Sequence, residues 1–259
     1  MKGISGVSLS LALFLGSLFG GATRPHYSQV YTILLKGIPC GTEGVAEEWG
    51  KDGNLISSSE SEIFITDGMD TNRLAFVTRM ELSKSNLTPI SYSYRYTSGQ
   101  SKDSYEVTVK ESQLRRVLNR GGHTSEITAT LPPEATILDF NVYHQYDYLL
   151  RKYDVKKGGR QSFPNFIPLI GGEIPLAITQ LEDSNLEHPK GVLPVRNFKV
   201  EFGGIWSGTV SVDKNGRLVR LVARNQDLEV VRKDLLPEPP PPEAAKQSPE
   251  KSEPVKPIP

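Results

Sequence analysis

Histidine is the side chain best suited to acid–base or metal chemistry near neutral pH, and the chain has four. They are His26, His123, His144 and His188, and none lies in a metal-binding spacing such as H-E-x-x-H. His144 and Asp147 lie one helical turn apart, but two ligands alone do not make a metal site. We interpret this pair as part of a solvated helix face.

Other patterns that could support catalysis are also weak. Neighbouring carboxylates such as Glu47-Glu48 make poor acid–base couples, because adjacent strand residues point to opposite faces. The sequence has no G-x-S-x-G motif and no glycine-rich loop that leads into a helix. We therefore predict no catalytic residues, no metal ligands and no cofactor. Thirty basic and thirty acidic residues give a formal net charge of zero, which disfavours nucleic-acid binding through bulk charge.

Aromatic side chains are the residues for which we do predict a binding role. Tyrosines alternate at positions 92, 94 and 96, so they share one face of a strand. The predicted ligand-binding residues are Tyr92, Tyr94, Tyr96, Tyr146, Phe202 and Trp206. A concave sheet lined by them would hold a lipid or other apolar molecule, because apolar burial contributes about 25 cal/mol per Å². The alternative, that these aromatics pack the interior against the helix, stays open at this point.

The elements that would position these aromatics are strands joined by tight turns. Alternation of apolar and polar residues is clear over 74–82 and 90–97, and Asp52-Gly53 and Asn215-Gly216 are typical of hairpin turns. The whole pattern predicts about twelve antiparallel strands. A helix is expected from Asp139, its N-cap, to Tyr153. Any strand within 163–170 should lie at a sheet edge, because that stretch contains two prolines.

A sheet of this many strands must curl, split or close, because strand twist accumulates. The predicted fold class is mainly β: a large curled antiparallel meander, in the form of a β-roll or half-barrel, with one inserted helix. The helix is expected to cover part of the mouth. Residues 23–236 are predicted to form a single β domain.

The two ends of the chain differ in composition from the middle. Lys2, an apolar run over 4–19 and small residues at 20–22 are typical of a signal peptide, so we expect residues 1–22 to be cleaved and the protein to be periplasmic or secreted. Nine of the 19 prolines fall within 237–259, which predicts a disordered Pro-rich tail. This tail is either inert or a spacer that docks an envelope protein. Cys40, the single cysteine, is interpreted as a small buried hydrophobe, with a reactive thiol as the alternative.

Several turns resemble those of a known family. The first strand leads into Gly37-Ile38-Pro39-x-Gly41, and Leu87-Thr88-Pro89 precedes the tyrosine-rich strand. Leu193-Pro194-Val195 then leads towards a run from Trp206 to Leu218 around Asp213-x-x-Gly216. Over most of residues 26–233 the chain is similar to the secreted bacterial β-roll family of unknown function, related in outline to the β half-barrels of lipoprotein carriers. The resemblance implies a half-barrel fold, an envelope location and an apolar groove, and it transfers no catalytic residue.

Three hypotheses follow from these observations. The leading one is an exported, non-enzymatic protein that binds a lipid or other apolar ligand in its concave sheet. The alternative is a structural or adaptor protein of the cell envelope that docks a partner through the sheet or the Pro-rich tail. A hydrolase that uses the scattered histidines and aspartates is the third.

Overall fold

The computed structural model describes residues 26–237, except Met69. The predicted signal peptide and residues 238–259 of the predicted tail lie outside these residues. The strands and the α-helix are β1 (Tyr27–Leu35), β2 (Ile38–Trp49), β3 (Leu55–Asp67), β4 (Asp70–Leu82), β5 (Pro89–Ser98), β6 (Ser101–Lys110), β7 (Gln113–Arg120), β8 (His123–Thr130), β9 (Thr136–Ile137), α1 (Gln145–Leu150), β10 (Arg160–Phe163), β11 (Asn165–Ile167), β12 (Gly172–Glu173), β13 (Leu176–Gln180), β14 (Ser184–His188), β15 (Gly191–Phe202), β16 (Trp206–Val212), β17 (Leu218–Ala223) and β18 (Leu228–Arg232).

Fifteen of these strands form one antiparallel sheet, which confirms the predicted fold class. Its order is β10-β13-β15-β16-β17-β18-β1-β2-β3-β4-β5-β6-β7-β8, with β14 paired to β15. The first strand of the described residues, β1, therefore lies in the middle of the sheet, between β18 and β2. The predicted count of about twelve strands was too low, because short strands such as β9 and β12 carry too few residues to show alternation.

Tight turns at glycine set the register of the long hairpins. Lys36 and Gly37, between β1 and β2, have φ values of 52° and 75°, the positive angles that a two-residue hairpin turn requires. Gly53 and Gly216 also have positive φ, at the two hairpins predicted from Asp-Gly and Asn-Gly. At the second of these, the Asp213 carboxylate accepts hydrogen bonds from the backbone N–H groups of Asn215 and Arg217.

A second, three-stranded sheet joins the two free edges of the large one. The chain leaving β8 forms β9, the chain leaving β10 forms β11, and these two strands pair in parallel. Arg116 on β7 adds a hydrogen bond of 2.8 Å to the carbonyl of Pro168. The parallel pair β9 and β11 thus connects the chain that follows one edge strand of the large sheet, β8, with the chain that follows the other, β10. The edge prediction for 163–170 is correct for β10 and wrong for β11, which is the central strand of the small sheet.

The α-helix differs from the prediction in length and in position. It covers Gln145–Leu150, is preceded by His144 as N-cap, and all six of its residues are buried. Asp139 is not the N-cap; its carboxylate accepts hydrogen bonds from Tyr92 and from the backbone of Phe140. The helix therefore fills the concave side of the sheet instead of covering the mouth.

Small polar residues make room for this helix. Ser57, Ser59 and Ser61 point inward from β3 and are buried, and Ser59 pairs with Thr78 of β4 through their hydroxyl groups at 2.8 Å. Ser57 lies beside the Tyr148 hydroxyl of α1, and a larger side chain at position 57 would compete for this space, because protein interiors are close-packed. A separate small cluster lies on the outer face, where Val195, Val219, Val231 and Leu235 pack together.

Candidate functional site

The segment containing α1 is attached to the sheet by buried polar groups as well as by apolar packing. Glu43 of β2 accepts hydrogen bonds from the backbone N–H groups of Tyr143 and His144, both at 3.2 Å. Its other oxygen lies 2.8 Å from Nδ1 of His144, and both side chains are almost fully buried. A carboxylate is stable in such a position only when it is hydrogen-bonded.

A second anchor lies further along β2. Glu47 accepts two hydrogen bonds from the Arg217 guanidinium, at 2.5 and 2.8 Å, and a third from the Tyr148 hydroxyl at 2.7 Å. Burial alone would raise the pKa of Glu47, but the hydrogen bonds from Arg217 and Tyr148 hold it below its ordinary value. Arg217 also lies 3.7 Å from the centre of the Tyr27 ring, a cation–π contact.

Asp147 connects the helix to the same anchor. Its carboxylate accepts a hydrogen bond from the backbone N–H of Leu218 at 2.6 Å and a weaker one from Arg217 at 3.3 Å. Burial raises the pKa of Asp147 to about 6, although the hydrogen bond from Leu218 and the charge of Arg217 oppose the shift. The interpretation of His144 and Asp147 as a solvated helix face was therefore wrong, because each binds a partner from the sheet.

Charged residues concentrate at the end of the barrel-like sheet where the β2–β3 and β16–β17 turns lie, which we call the charged end. A depression there, of about 540 Å³, is lined by His26, Tyr27, Arg151, Asp213, Asn215, Arg217 and Arg232. Arg217 is bound to Glu47, and Arg232 lies 3.2 Å from Asp213. Most of this charge is thus already neutralised within the protein.

The predicted ligand-binding aromatics fall into two groups. Tyr92 and Tyr94 are buried in the core, where Tyr94 stacks on Tyr105 with ring centres 4.7 Å apart, and half-buried Tyr96 packs against Phe76. The other group comprises Tyr146 of α1, Phe202 of β15 and Trp206 of β16. Trp206 lies 5.3 Å from the Phe202 ring and 6.0 Å from the Tyr146 ring. The structure does not join the two groups into one open groove, because the α1 segment occupies the concave side.

The opposite end of the sheet, with the β1–β2, β3–β4 and β15–β16 turns, carries several exposed or half-buried apolar side chains beside charged ones such as Lys36, Arg73 and Asp227, and we call it the apolar end. The inward-facing rows of several strands continue to this end and become partly exposed there. Side chains at this end are Leu35, Ile38, Cys40, Ile65, Leu74, Tyr96, Ile205 and Trp206. Ile38 and Ile205 are 68% and 64% exposed. Isolated exposed apolar residues are ordinary, but several at one end of a sheet indicate a contact surface.

Hydrogen bonds between neighbouring turns hold the apolar end together. The backbone N–H of Lys36, in the β1–β2 turn, donates to the carbonyl of Asp227 at 2.8 Å. The indole N–H of Trp206 donates to the Gln226 side chain at 3.0 Å, which connects β16 to the same β17–β18 turn. The polar β17–β18 turn therefore connects the two turns that carry Ile38 and Ile205. Cys40, interpreted as a buried hydrophobe, is half-buried here, and burial raises the pKa of its thiol.

Sequence reasoning missed Glu43, Glu47, Arg217, Ile38 and Ile205. Glu43, Val45 and Glu47 are spaced two residues apart on β2 and therefore share one face. The apolar Val45 between them is the signal that would have placed both carboxylates on an inward face. The two isoleucines gave no comparable signal, because each follows or precedes a turn. Within residues 26–237, Met69 aside, no three histidine, cysteine or acidic side chains converge as a metal site. No helix in that same part of the chain has the length and hydropathy needed to cross a membrane.

The fold is similar to those of solved proteins of unknown function. A β-barrel-like protein of the domain of unknown function DUF1849 from Brucella abortus matches with a TM-score of 0.52 and 7% identity, over 79% of this chain and 93% of that one. A DUF1089 family protein from Pseudomonas aeruginosa matches with a TM-score of 0.43 and 12% identity, over 80% and 95% of the respective chains. Neither a model of a known family nor a curated protein sequence matches the chain.

The likeness to the Brucella protein supports the fold alone. It defines this chain as a β-barrel-like protein, and the predicted resemblance to a β-rich family of unknown function is supported at that level. The secretion and the lipoprotein-carrier relationship implied by the same resemblance stay predictions.

Proposed function

We propose that this chain is an exported, non-enzymatic protein that binds the acyl chains of lipids at its apolar end. The observation that carries the proposal is the set of exposed and half-buried apolar side chains on adjacent turns at that end, with Ile38 and Ile205 most exposed. Transfer of such side chains from water into hydrocarbon is favourable by about 1.5–3 kcal/mol for a fully buried isoleucine. The composition of residues 1–22 supports export.

The filled interior favours contact at the end of the barrel over a ligand deep inside it. Tyr92, Tyr94 and Tyr146 are already buried against protein atoms, and the helix beneath them is held by Glu43 and Glu47. An apolar ligand that displaced the helix would leave these carboxylates buried without their partners, which costs several kcal/mol. Trp206, Phe202 and Tyr96, by contrast, lie close enough to the apolar end to contact an acyl chain inserted between the turns.

Loss of apolar side chains from this end should weaken lipid binding. We expect Ile38→Ser and Ile205→Ser each to lower partitioning into phosphatidylcholine/phosphatidylglycerol vesicles by about tenfold, since ~1.4 kcal/mol of apolar transfer is lost per site. Val192→Ser is the matched control, because Val192 is 60% exposed but lies on the β14–β15 hairpin away from this end. Vesicle co-sedimentation measures the effect. Equal partitioning of all three variants and the unaltered protein would contradict the proposal.

An adaptor role is a second proposal, favoured by an apolar groove on the outer surface beside Pro237, where the described chain ends. In this role the groove or the Pro-rich segment 237–259 would bind an envelope protein. Deletion of residues 238–259 should then abolish recovery of that partner from envelope extracts while thermal stability is unchanged. Recovery that is unaffected by the deletion would count against it.

A further inference from the structure

The outer groove lies between three parts of the chain that are distant in sequence. It encloses about 720 Å³, and its lining includes Val30 of β1, Pro189 and Lys190 of the β14–β15 hairpin, and Lys233, Leu236 and Pro237 beyond β18. Val30 is half-buried on the outward face of β1, and Leu236 packs against the outer apolar cluster. The groove thus has an apolar floor on a stable part of the sheet.

The charge at the rim of this groove is positive. Asp234 also lines it, but its carboxylate pairs with Arg232 at 2.8 Å. The ion pairs of residues 26–237 give no carboxylate partner to Lys190 or Lys233. Two ammonium groups at the edge of an apolar groove favour the binding of a segment that combines apolar residues with carboxylates.

The chain supplies such a segment at the groove itself. Pro237 lines the groove, and the residues that follow it are Glu238, four consecutive prolines at 239–242, and Glu243. Polyproline segments bind apolar grooves well, because their extended conformation is largely preformed and little entropy is lost on docking. A tethered segment also has an effective concentration in the millimolar range.

From this juxtaposition we propose that residues 238–243 dock in the groove of their own chain, with the carboxylates of Glu238 and Glu243 near Lys233 and Lys190. In a polyproline conformation these six residues extend for ~19 Å. The docked segment would direct the rest of the chain, 244–259, along the outer face of the sheet. This inference does not depend on lipid binding, because the groove and the apolar end are different surfaces.

Zero-length carbodiimide cross-linking of the full chain, with peptide mass spectrometry, tests this arrangement. Lys190 to Glu243 is the informative pair, because Lys233 lies too close in sequence to Glu238. We expect this cross-link to exceed any between the tail and Lys102, which lies at the opposite end of the sheet on β6. Because Glu243 follows Pro237 by six residues, an undocked segment would also stay within ~19 Å of the groove, so a further comparison must separate docking from tethering.

Two variants distinguish docking from chance proximity. Val30→Glu places a carboxylate on the groove floor and should lower the Lys190–Glu243 cross-link by about tenfold, equivalent to ~1.4 kcal/mol. Val77→Glu is the matched control, since Val77 is a half-buried, outward-facing valine on β4. Pro240→Gly combined with Pro241→Gly leaves residues 26–237 untouched and should also lower the yield, because glycine makes the segment more flexible.

Each remaining outcome overturns the inference. Equal cross-linking to Lys190 and Lys102 would show that the tail does not dock. A Lys190–Glu243 yield that neither Val30→Glu nor the double proline variant lowers would show that the groove is not the site. Cross-links that join isotopically labelled to unlabelled chains would show that the occupant is a second copy.

Discussion

Arg217 is the residue on which the attachment of α1 most depends, and its removal gives the sharpest energetic prediction. In Arg217→Met the Glu47 carboxylate, which is only 1% exposed, keeps the Tyr148 hydroxyl and His26 but loses both guanidinium hydrogen bonds. Removal of one partner from a buried ion pair typically costs 3–5 kcal/mol. Because the Arg217 side chain is 14% exposed, we expect the lower figure, about 3 kcal/mol.

Urea unfolding followed by circular dichroism measures this change, with the midpoint and slope analysed together. Arg115→Met is the matched control, because the Arg115 guanidinium also donates two hydrogen bonds to one glutamate, Glu126, but the two side chains are 55% and 48% exposed. An exposed pair of this kind contributes about 0–1 kcal/mol. Glu47→Gln added to Arg217→Met should restore about half of the lost stability, since no buried charge is then left unpaired. Equal losses in the two methionine variants, or no recovery with Glu47→Gln, would refute the reasoning.

Three further predictions concern the interior and the strand pairing. Burial raises the pKa of Asp139 from 3.8 to about 7, so the folded state is stabilised by the protonated carboxyl. This contribution to the free energy of unfolding is fully present below pH 4 and is lost as pH rises through 7. Asp139→Asn should remove up to ~4 kcal/mol of this pH dependence, and less to the extent that water reaches the half-buried residue. Urea unfolding at several pH values between 4 and 8 measures the effect. A free energy of unfolding that changes with pH as much in the variant as in the unaltered protein would contradict the prediction. Gly41→Ala should cost about 2–4 kcal/mol, because its new Cβ would lie 2.3 Å from the Glu62 carbonyl oxygen. Gly44→Ala is the control and should cost under ~1 kcal/mol, since its Cβ would lie 3.8 Å from the Glu60 carbonyl oxygen. Equal melting temperatures of the two variants would contradict the close approach of β2 and β3 at Gly41. Ser59→Leu should cost about 1–3 kcal/mol in thermal unfolding by overpacking the buried space beside Thr78, whereas a stabilised protein would show that this space is not filled.

The sequence predicts the sheet far better than it predicts what lies inside it. Alternation and Asp-Gly or Asn-Gly turns are local signals, and they identify β1, β4, β5 and the hairpins correctly. The helix is a different case. Gln145–Leu150 is buried on every side, so it has no polar face from which its position could be inferred.

The polar anchors depend on contacts between distant parts of the chain. Glu43 meets His144 across 101 residues, and Glu47 meets Arg217 across 170. The i, i+2 spacing from Val45 indicates that both glutamates face inward, but local spacing carries no record of which distant residue each one meets. For the same reason the aromatic residues were identifiable as a set, but their division between the core and the apolar end was not.

The two tryptophans lie at opposite ends of the sheet, and they allow the most direct test of the proposal that the apolar end contacts acyl chains. Trp206 lies at the apolar end, and Trp49 is 58% exposed at the charged end, stacked on His26. Vesicles of lipids with brominated acyl chains quench only indoles that approach the hydrocarbon. Quenching is predicted in Trp49→Phe, which keeps Trp206, and not in Trp206→Phe. Quenching of Trp49 alone, of both tryptophans equally, or of neither would contradict the proposal.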